Sequence, residues 1–200
     1  MEQEEKLTLN STKSESTFFS TDTHESKWAP TLNIGGAPVS FNPSPKLLGV
    51  HLDRTLAFSK HVSYVTNKVA TCCRTLSCLS SKTWGWNKET MKRVYTSNQR
   101  SVMDYAAAAW QPYLSATQAK QLDTAQNKAL RIITGQYAST PTEALRLEAG
   151  VESYATRSKK LCMIASEKAK RLAEDHPRRI AWDHEQTHRP EAPGERPPET

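Results

Sequence analysis

Lys46-Leu47-Leu48-Gly49-Val50-His51-Leu52-Asp53 is the stretch that separates two halves of different kind in this chain. Leu48, Val50 and Leu52 alternate, which predicts one short β-strand with these side chains on one face. Glycine inside a strand is typical of a bulge or of a close approach by another backbone, although an ordinary strand with a tolerated Gly49 fits equally well. Short, turn-rich sequence precedes the stretch, and more than a hundred residues of helical periodicity follow it.

The segment before this stretch predicts a small β portion. Residues 17–19 (TFF) predict one strand, and residues 31–41 predict a hairpin whose two-residue turn is Gly35-Gly36. Pro38 places the second strand of that hairpin at a sheet edge, because proline cannot donate a ladder hydrogen bond.

The segment after it predicts a helical bundle. Apolar residues recur every three or four positions from Val62 to Leu79, and Cys72 belongs to that buried stripe. A second helix begins after Asn87 and continues to Trp110, and a third lies between Ser115 and Gly135. A capping box at residues 140–143 begins a short helix that Gly150 ends, and a last helix covers residues 153–174.

These patterns predict a mainly α fold with a small N-terminal antiparallel β portion, α+β overall. We predict three parts: a β-containing segment of residues 1–57, a helical domain of residues 58–176, and a disordered tail of residues 177–200. The tail holds five of the 11 prolines and little that could be buried.

The positive charge of the chain is concentrated in its middle. The net charge is +6, yet the segment from Arg54 to Arg100 alone holds nine basic residues and one acidic residue, a local excess of +8. Such an excess favours a polyanionic partner, of which nucleic acid is the best fit, over a merely solvated surface. The candidate contacts are Lys60, Lys68, Arg74, Lys82, Lys88, Lys92 and Arg93.

Trp84-Gly85-Trp86 lies in a loop beside several of these cations. Aromatic rings next to cations can stack on bases while the cations hold phosphates. The alternative is that both tryptophans pack on the hydrophobic core, as large aromatic residues usually do. Both interpretations stay open at this stage.

Other kinds of site find little support. The HExxH spacing at residues 184–188 matches a zinc protease, but Pro177 and Pro190 bracket it and no apolar helical face supports it. The four cysteines lack zinc-ligand spacing and fit a reducing compartment. We therefore predict no catalytic residue, no metal site, no cofactor, no membrane segment and no small-molecule substrate. We expect an intracellular protein of the nucleus or cytoplasm, and the oligomeric state stays open.

Several segments, taken in their order along the chain, resemble the reverse transcriptases of non-LTR (LINE) retrotransposons. The resemblance is greatest to the ingi-type elements of trypanosomatids. Residues 9–15 resemble the N-x-x-K-T/S-E stretch at the end of the palm, and residues 46–53 resemble the K-x-L-G-V-x-L-D motif between palm and thumb. The match continues with F-s-x-H-v at residues 58–62. Further thumb landmarks correspond to residues 82–86, 105–110, 122–127, 131–135 and 139–145.

This resemblance implies a primer-grip hairpin that includes Leu48, Gly49 and Val50, followed by a nucleic-acid-binding thumb. The family copies RNA into DNA with Mg²⁺ held by palm aspartates, including an aromatic-x-Asp-Asp turn that this sequence does not contain. The expected function is therefore that of a truncated RNA-directed DNA polymerase that holds primer–template but does not polymerise. The alternative is a non-enzymatic helical interaction module or an inactive pseudogene product.

Overall fold

The computed structural model describes residues 10–80 and 85–187 of the chain. Its N-terminal part is a three-stranded mixed sheet in the order β1-β3-β2, formed by β1 (Glu15–Ser16), β2 (Leu32–Ile34) and β3 (Ala37–Phe41). β2 and β3 are the predicted hairpin, with Leu32 opposite Val39 and positive φ angles at Gly35 and Gly36. The hairpin prediction is confirmed.

Two details of this sheet differ from the sequence prediction. Residues 17–19 are not a strand, because the extended pairing with β3 involves Glu15 and Ser16 instead. β3 is the central strand, so the prediction that Pro38 marks an edge is wrong. Pro38 is tolerated because β1 pairs only with Ser40 and Phe41, which leaves no ladder hydrogen bond to be donated at Pro38 on that side.

The stretch at residues 46–53 is a tight hairpin and not one strand. β4 (Lys46–Leu47) pairs antiparallel with β5 (Val50–His51), and the chain reverses at Leu48 and Gly49, which have φ angles of 45° and 91°. Two consecutive left-handed residues form the turn typical of a two-residue hairpin. The alternation predicted for one strand is therefore wrong: Val50 is buried, while Leu48 stands at the tip and is 84% exposed.

The remainder of the described chain is helical, which confirms a mainly α fold with a small β portion. α1 packs along α5, and α5 also contacts α6 and α7. The core between them contains Val62, Val65, Trp110, Leu122 and Leu130. The helices are α1 (Ser59–Leu79), α2 (Lys88–Val94), α3 (Ser101–Asp104), α4 (Ala107–Trp110), α5 (Ala116–Thr134), α6 (Thr142–Ala149), α7 (Tyr154–Lys170) and α8 (Pro177–Thr187).

The predicted second helix is interrupted. A π-helical turn, Tyr95–Arg100, joins α2 to α3, and the helix then breaks where Tyr105 is extended and Ala106 is left-handed, with φ 50°. The break leaves carbonyl groups without helical partners. The Trp110 indole donates to the Tyr105 carbonyl at 2.9 Å, and the Gln111 amide donates to the Met103 carbonyl at 3.1 Å, so tertiary packing stabilises the break.

The helix ends agree with the sequence in some places and not in others. Ser115 forms a capping box with Gln118, and Gly135 and Gly150 end α5 and α6 in left-handed conformations. The capping box predicted at residues 140–143 is wrong, because Pro141 directly precedes α6 and no side chain caps it. On α1 the buried thiol is that of Cys73, while Cys72 is only half-buried.

Residues 177–187 form α8, where the sequence suggested a disordered tail from residue 177. Proline is favoured in the first turn of a helix, so Pro177 begins α8. The Arg178 amide donates to His176 Nδ1 at 3.1 Å, and Arg179 pairs with Asp183 one turn later at 2.9 Å. Residues 188–200 lie outside the described residues. Within the described chain, no helix has the length and apolarity needed to cross a membrane.

Candidate nucleic-acid interface

The hairpin of β4 and β5 is joined to α1 through Asp53. The two carboxylate oxygens of Asp53 accept hydrogen bonds from the backbone amides of Phe58 at 3.0 Å and Ser59 at 2.9 Å. These amides belong to the first turn of α1, where helical partners are missing and a negative charge is favourable. The carboxylate therefore fixes where the helix starts relative to the hairpin.

Two further contacts hold the hairpin against the helices. His61, which is 2% exposed on α1, accepts the His51 amide on Nδ1 at 3.4 Å. Burial, and secondarily the neighbouring His51, lowers the pKa of His61 to about 4, so the ring is neutral and Nδ1 is available as an acceptor. At the tip of the hairpin, the Tyr105 hydroxyl donates to the Leu48 carbonyl at 2.7 Å.

The turn at Gly49 lies directly against the Tyr105 ring. A Cβ added to Gly49 would stand 3.2 Å from Tyr105 Cε1, which is closer than ordinary van der Waals contact. The close approach expected at Gly49 is therefore present, but its partner is an aromatic side chain of the helix break. Of the three grip-like residues, Leu48 is exposed, Gly49 faces Tyr105, and Val50 is buried in the core.

A basic surface forms where the hairpin meets α1, and we call it the hairpin–α1 cluster: Lys46, His51, Lys60, Tyr64 and Lys68. Lys46 Nζ lies 5.5 Å and Lys68 Nζ lies 5.0 Å from the centroid of the Tyr64 ring. The His51 ring packs 4.8 Å from the same ring. Two ammonium groups and an imidazole thus lie close to the single aromatic ring of Tyr64.

The charges of the lysines contribute to two pKa shifts in this cluster. A hydrogen bond with Lys68, followed by the charges of Lys68 and Lys46, lowers the pKa of the Tyr64 phenol below its usual value. Desolvation, and then the charges of Lys46 and Lys60, lowers the pKa of His51. No ion pair within the described part of the chain involves Lys46, Lys60 or Lys68.

The other cations predicted from sequence do not join this cluster. Arg74 is exposed, but it lies six positions after Lys68 and therefore on another side of α1. Lys88 pairs with Glu148 at 3.1 Å, and Arg93 approaches Glu89 at 3.9 Å. Lys92 extends to the end of α6, since a Cβ added to Gly150 would meet its Nζ at 2.8 Å.

The tryptophan loop is described only in part. Lys82 and Trp84 lie outside the described residues, so their predicted role is neither supported nor contradicted. Trp86 is 46% exposed, and its backbone amide donates to the Leu79 carbonyl at 2.9 Å. That partial exposure leaves both packing and nucleic-acid contact open for Trp86.

The sequence prediction missed four residues of the interface: Lys46, His51, Tyr64 and Tyr105. A signal existed for Tyr64, because Lys60, Tyr64 and Lys68 are spaced four apart and residues at that spacing share one helix face. Lys46 and His51 lie within the motif at residues 46–53. Tyr105 had no local signal, since its contact with Leu48 joins residues 57 positions apart.

A second ionic cluster lies around Glu152, and each of its cations is paired with a carboxylate. Glu152 contacts Lys160 at 2.5 Å, Arg100 at 3.0 Å and Arg157 at 3.7 Å, while Arg157 also pairs with Asp104. Hydrogen bonding to Lys160 is the first cause of the lowered pKa of Glu152. A cleft of about 440 Å³ beside this cluster is lined by Arg100, Asp104 and Arg157. Because carboxylates already occupy its arginines, this cleft is a weaker anion site than the hairpin–α1 cluster.

The described residues do not fit the Mg²⁺ site of a polymerase. Across residues 10–80 and 85–187, no group of three or more His, Cys, Asp or Glu side chains could hold a metal ion. His184 lies on α8, whereas His188, its partner in the HExxH spacing, is outside the described residues. We therefore derive no step through a metal ion.

Comparison with known proteins gives one informative match. The chain is 30% identical, over 119 residues, to the Retrovirus-related Pol polyprotein from type-1 retrotransposable element R1 4 of Nasonia vitripennis. The chain's origin is retrotransposon-related. The aligned region covers 60% of this chain and 30% of that relative, so the chain corresponds to less than a third of it. No family model matches the chain, and no solved structure matches it.

Proposed function

We propose that this retroelement-derived chain is the end of the palm and the thumb of a non-LTR retrotransposon reverse transcriptase, and that it binds primer–template duplex without polymerising. The observation that carries the proposal is the hairpin–α1 cluster, which presents Lys46, Lys60 and Lys68 without a carboxylate partner among the described residues. The similarity to a retrotransposon Pol polyprotein supports the same proposal.

The cluster suits the backbone of a duplex better than individual bases. Ammonium groups on flexible side chains bind phosphates as point charges and read no base edges. The exposed Leu48 at the tip of the hairpin adds an apolar contact beside the cations. We therefore expect the affinity for duplex to depend little on base sequence and strongly on salt concentration.

The test is the affinity of the full chain for an RNA–DNA hybrid between 50 and 200 mM salt. Each phosphate neutralised should contribute about −0.9 to the slope of log K against log salt. The double variant K60Q/K68Q should make this slope shallower by at least about 0.9 and at most about 1.8. A matched variant, K159Q/K168Q, removes two exposed lysines of α7 and should leave the slope nearly unchanged.

Two results would refute the proposal. One is the absence of hybrid binding at 50 mM salt, and the other is an affinity that does not change with salt. Equal slopes for the α1 and α7 variants would instead show that the chain binds through diffuse charge, and would reject the cluster as the interface.

A further inference from the structure

The strongest unassigned feature of the molecule is the arrangement around Tyr64. The ring is half-buried between the hairpin and α1, with the Nζ atoms of Lys46 and Lys68 at 5.5 and 5.0 Å from its centroid. Lys46 comes from β4 and Lys68 from the third turn of α1, so the site exists only when the hairpin is docked. The phenol and the two ammonium groups are all hydrogen-bond donors.

The donors and charges of this arrangement define the chemistry of that partner. Two ammonium groups and a phenol offer several donors, and no carboxylate within the described residues pairs with either lysine. The contact of Lys68 with Tyr64 is that of its ammonium group with the aromatic ring, which is a weaker partner than an anion. A compact anion with several acceptor oxygens would satisfy all three groups at once, and a phosphodiester is such an anion.

We propose that Lys46, Tyr64 and Lys68 form a binding site for one phosphate of a nucleic-acid backbone. This inference rests on the function proposed above and assigns a single point of contact within it. Both ammonium groups contact the same phosphate, and the Tyr64 hydroxyl donates the third hydrogen bond. Lys60, which lies one helical turn before Tyr64 and has no described contact with its ring, contacts a separate phosphate.

The backbone phosphate is favoured over free phosphate because of what surrounds the site. Lys60 extends the row of charge one turn along α1, and the exposed Leu48 stands at the tip of the same hairpin. A chain of phosphates can contact Lys60 and the Tyr64 site together, whereas inorganic phosphate can fill only one of them. The extended surface therefore matches a polymer.

The experiment replaces single phosphates of the hybrid with neutral methylphosphonates, one position at a time. With the wild-type chain, a methylphosphonate at one position should lower the affinity about tenfold, which is the size expected for loss of a charge-assisted contact. Methylphosphonates at the neighbouring positions should lower the affinity less. In K46Q, K68Q and Y64F that position should have a smaller effect, because one of its three donors is already missing. K159Q, on α7, should retain the wild-type pattern.

The salt dependence gives a second and independent readout. If one phosphate is shared, either lysine alone still neutralises it, so K46Q and K68Q should each change the slope little and the double variant should make it shallower by about 0.9. Two separate phosphates would give about 1.8 for the double variant, which would overturn the shared site. This comparison uses the unmodified hybrid. Y64F does not change the charge of the protein, so its slope of log K against log salt should equal that of the wild type.

The remaining outcomes separate this inference from the proposed function. Steep salt dependence with an even methylphosphonate scan would overturn the phosphate site and leave duplex binding intact. No binding of the hybrid at all would refute both. Displacement of the hybrid by inorganic phosphate, at concentrations where chloride of equal ionic strength has no effect, would assign the site to free phosphate and overturn the backbone assignment.

Discussion

Replacing Gly49 with alanine tests how the hairpin is held. A non-glycine residue in a left-handed conformation loses about 1–2 kcal/mol, and Gly49 has φ +91°. The added Cβ would also stand 3.2 Å from the Tyr105 ring, and overpacking of this kind destabilises by about 1–3 kcal/mol. We therefore expect G49A to lower the free energy of hairpin opening by about 2–5 kcal/mol in total.

Gly35 supplies the matched control for this change. It has φ +59° in the other hairpin, and an added Cβ would meet nothing within 4 Å. G35A should therefore show only the backbone part of the loss, about 1–2 kcal/mol. Native-state hydrogen exchange of the amides in each hairpin, including the Leu52 amide that donates to Pro45, gives the two opening free energies.

A double variant then identifies the cause. In G49A/Y105A the ring is absent, so the steric part of the loss should disappear, and the two changes should couple by about 1–3 kcal/mol. Y105A alone removes one hydrogen bond, which contributes about 0.5–1.5 kcal/mol. The reasoning is refuted if G49A and G35A lower the opening free energy equally, or if Y105A gives G49A no relief.

Three further predictions concern the same region and the helix break. L48N should increase the protection of the hairpin amides by about 0.5–1 kcal/mol, because asparagine tolerates the left-handed φ of 45° better than leucine; hydrogen exchange would contradict this if protection fell. A106G should raise the free energy of unfolding in urea by about 1 kcal/mol, since Ala106 is left-handed, and an unchanged or lower value would argue against the break. His61 has a folded pKa of about 4, which lies below its unfolded value. As the pH falls from about 6.5 to 4, the unfolded state therefore binds a proton that the folded state does not. The free energy of unfolding should decrease over that window by up to about 1.4 kcal/mol per pH unit. H61F should remove this contribution in urea titrations at pH 7 and 5, and an undiminished loss would exclude His61 as its source.

The sequence predicted a hairpin correctly at one turn and missed it at the other for a physical reason. Gly35-Gly36 adopts left-handed conformations at no steric loss, so the turn is encoded locally. Leu48-Gly49 turns in the same way, but leucine disfavours positive φ, and its alternation with Val50 imitates a strand. The turn is stabilised by Tyr105, and a contact across 57 residues leaves no local pattern.

The helix break was missed for a different reason, since the hydrogen bonds that satisfy it span only five and eight residues. Alanine is the best helix former, so the run at residues 106–109 predicts continuity. The break depends instead on Trp110 and Gln111, whose side chains satisfy the carbonyl groups that the break exposes. These side-chain hydrogen bonds, together with the burial of Trp110, thus outweigh an intrinsic preference of less than 1 kcal/mol per residue.

The sequence predicted that the candidate interface is positively charged, but it did not predict which residues form it. Counting basic residues located the positive segment, and Lys60 and Lys68 lie in the cluster as exposed cations. Counting could not show that Lys88 pairs with Glu148, because 60 residues separate them. Net charge describes what a segment carries, whereas the folded contacts determine which charges stay available to a partner.

The hydrogen bond between Tyr105 and Leu48 also has a consequence for the order of folding. Closing a loop of 57 residues loses chain entropy before the contact offers any stabilisation, so such contacts form after local ones. The ring reaches Leu48 only from the extended conformation of Tyr105 at the break, which itself needs Trp110 in the core. We therefore expect the contact between Tyr105 and Leu48 to form after the short-range contacts of Asp53 and His61 have docked the hairpin on α1, and to be lost before them when the chain unfolds.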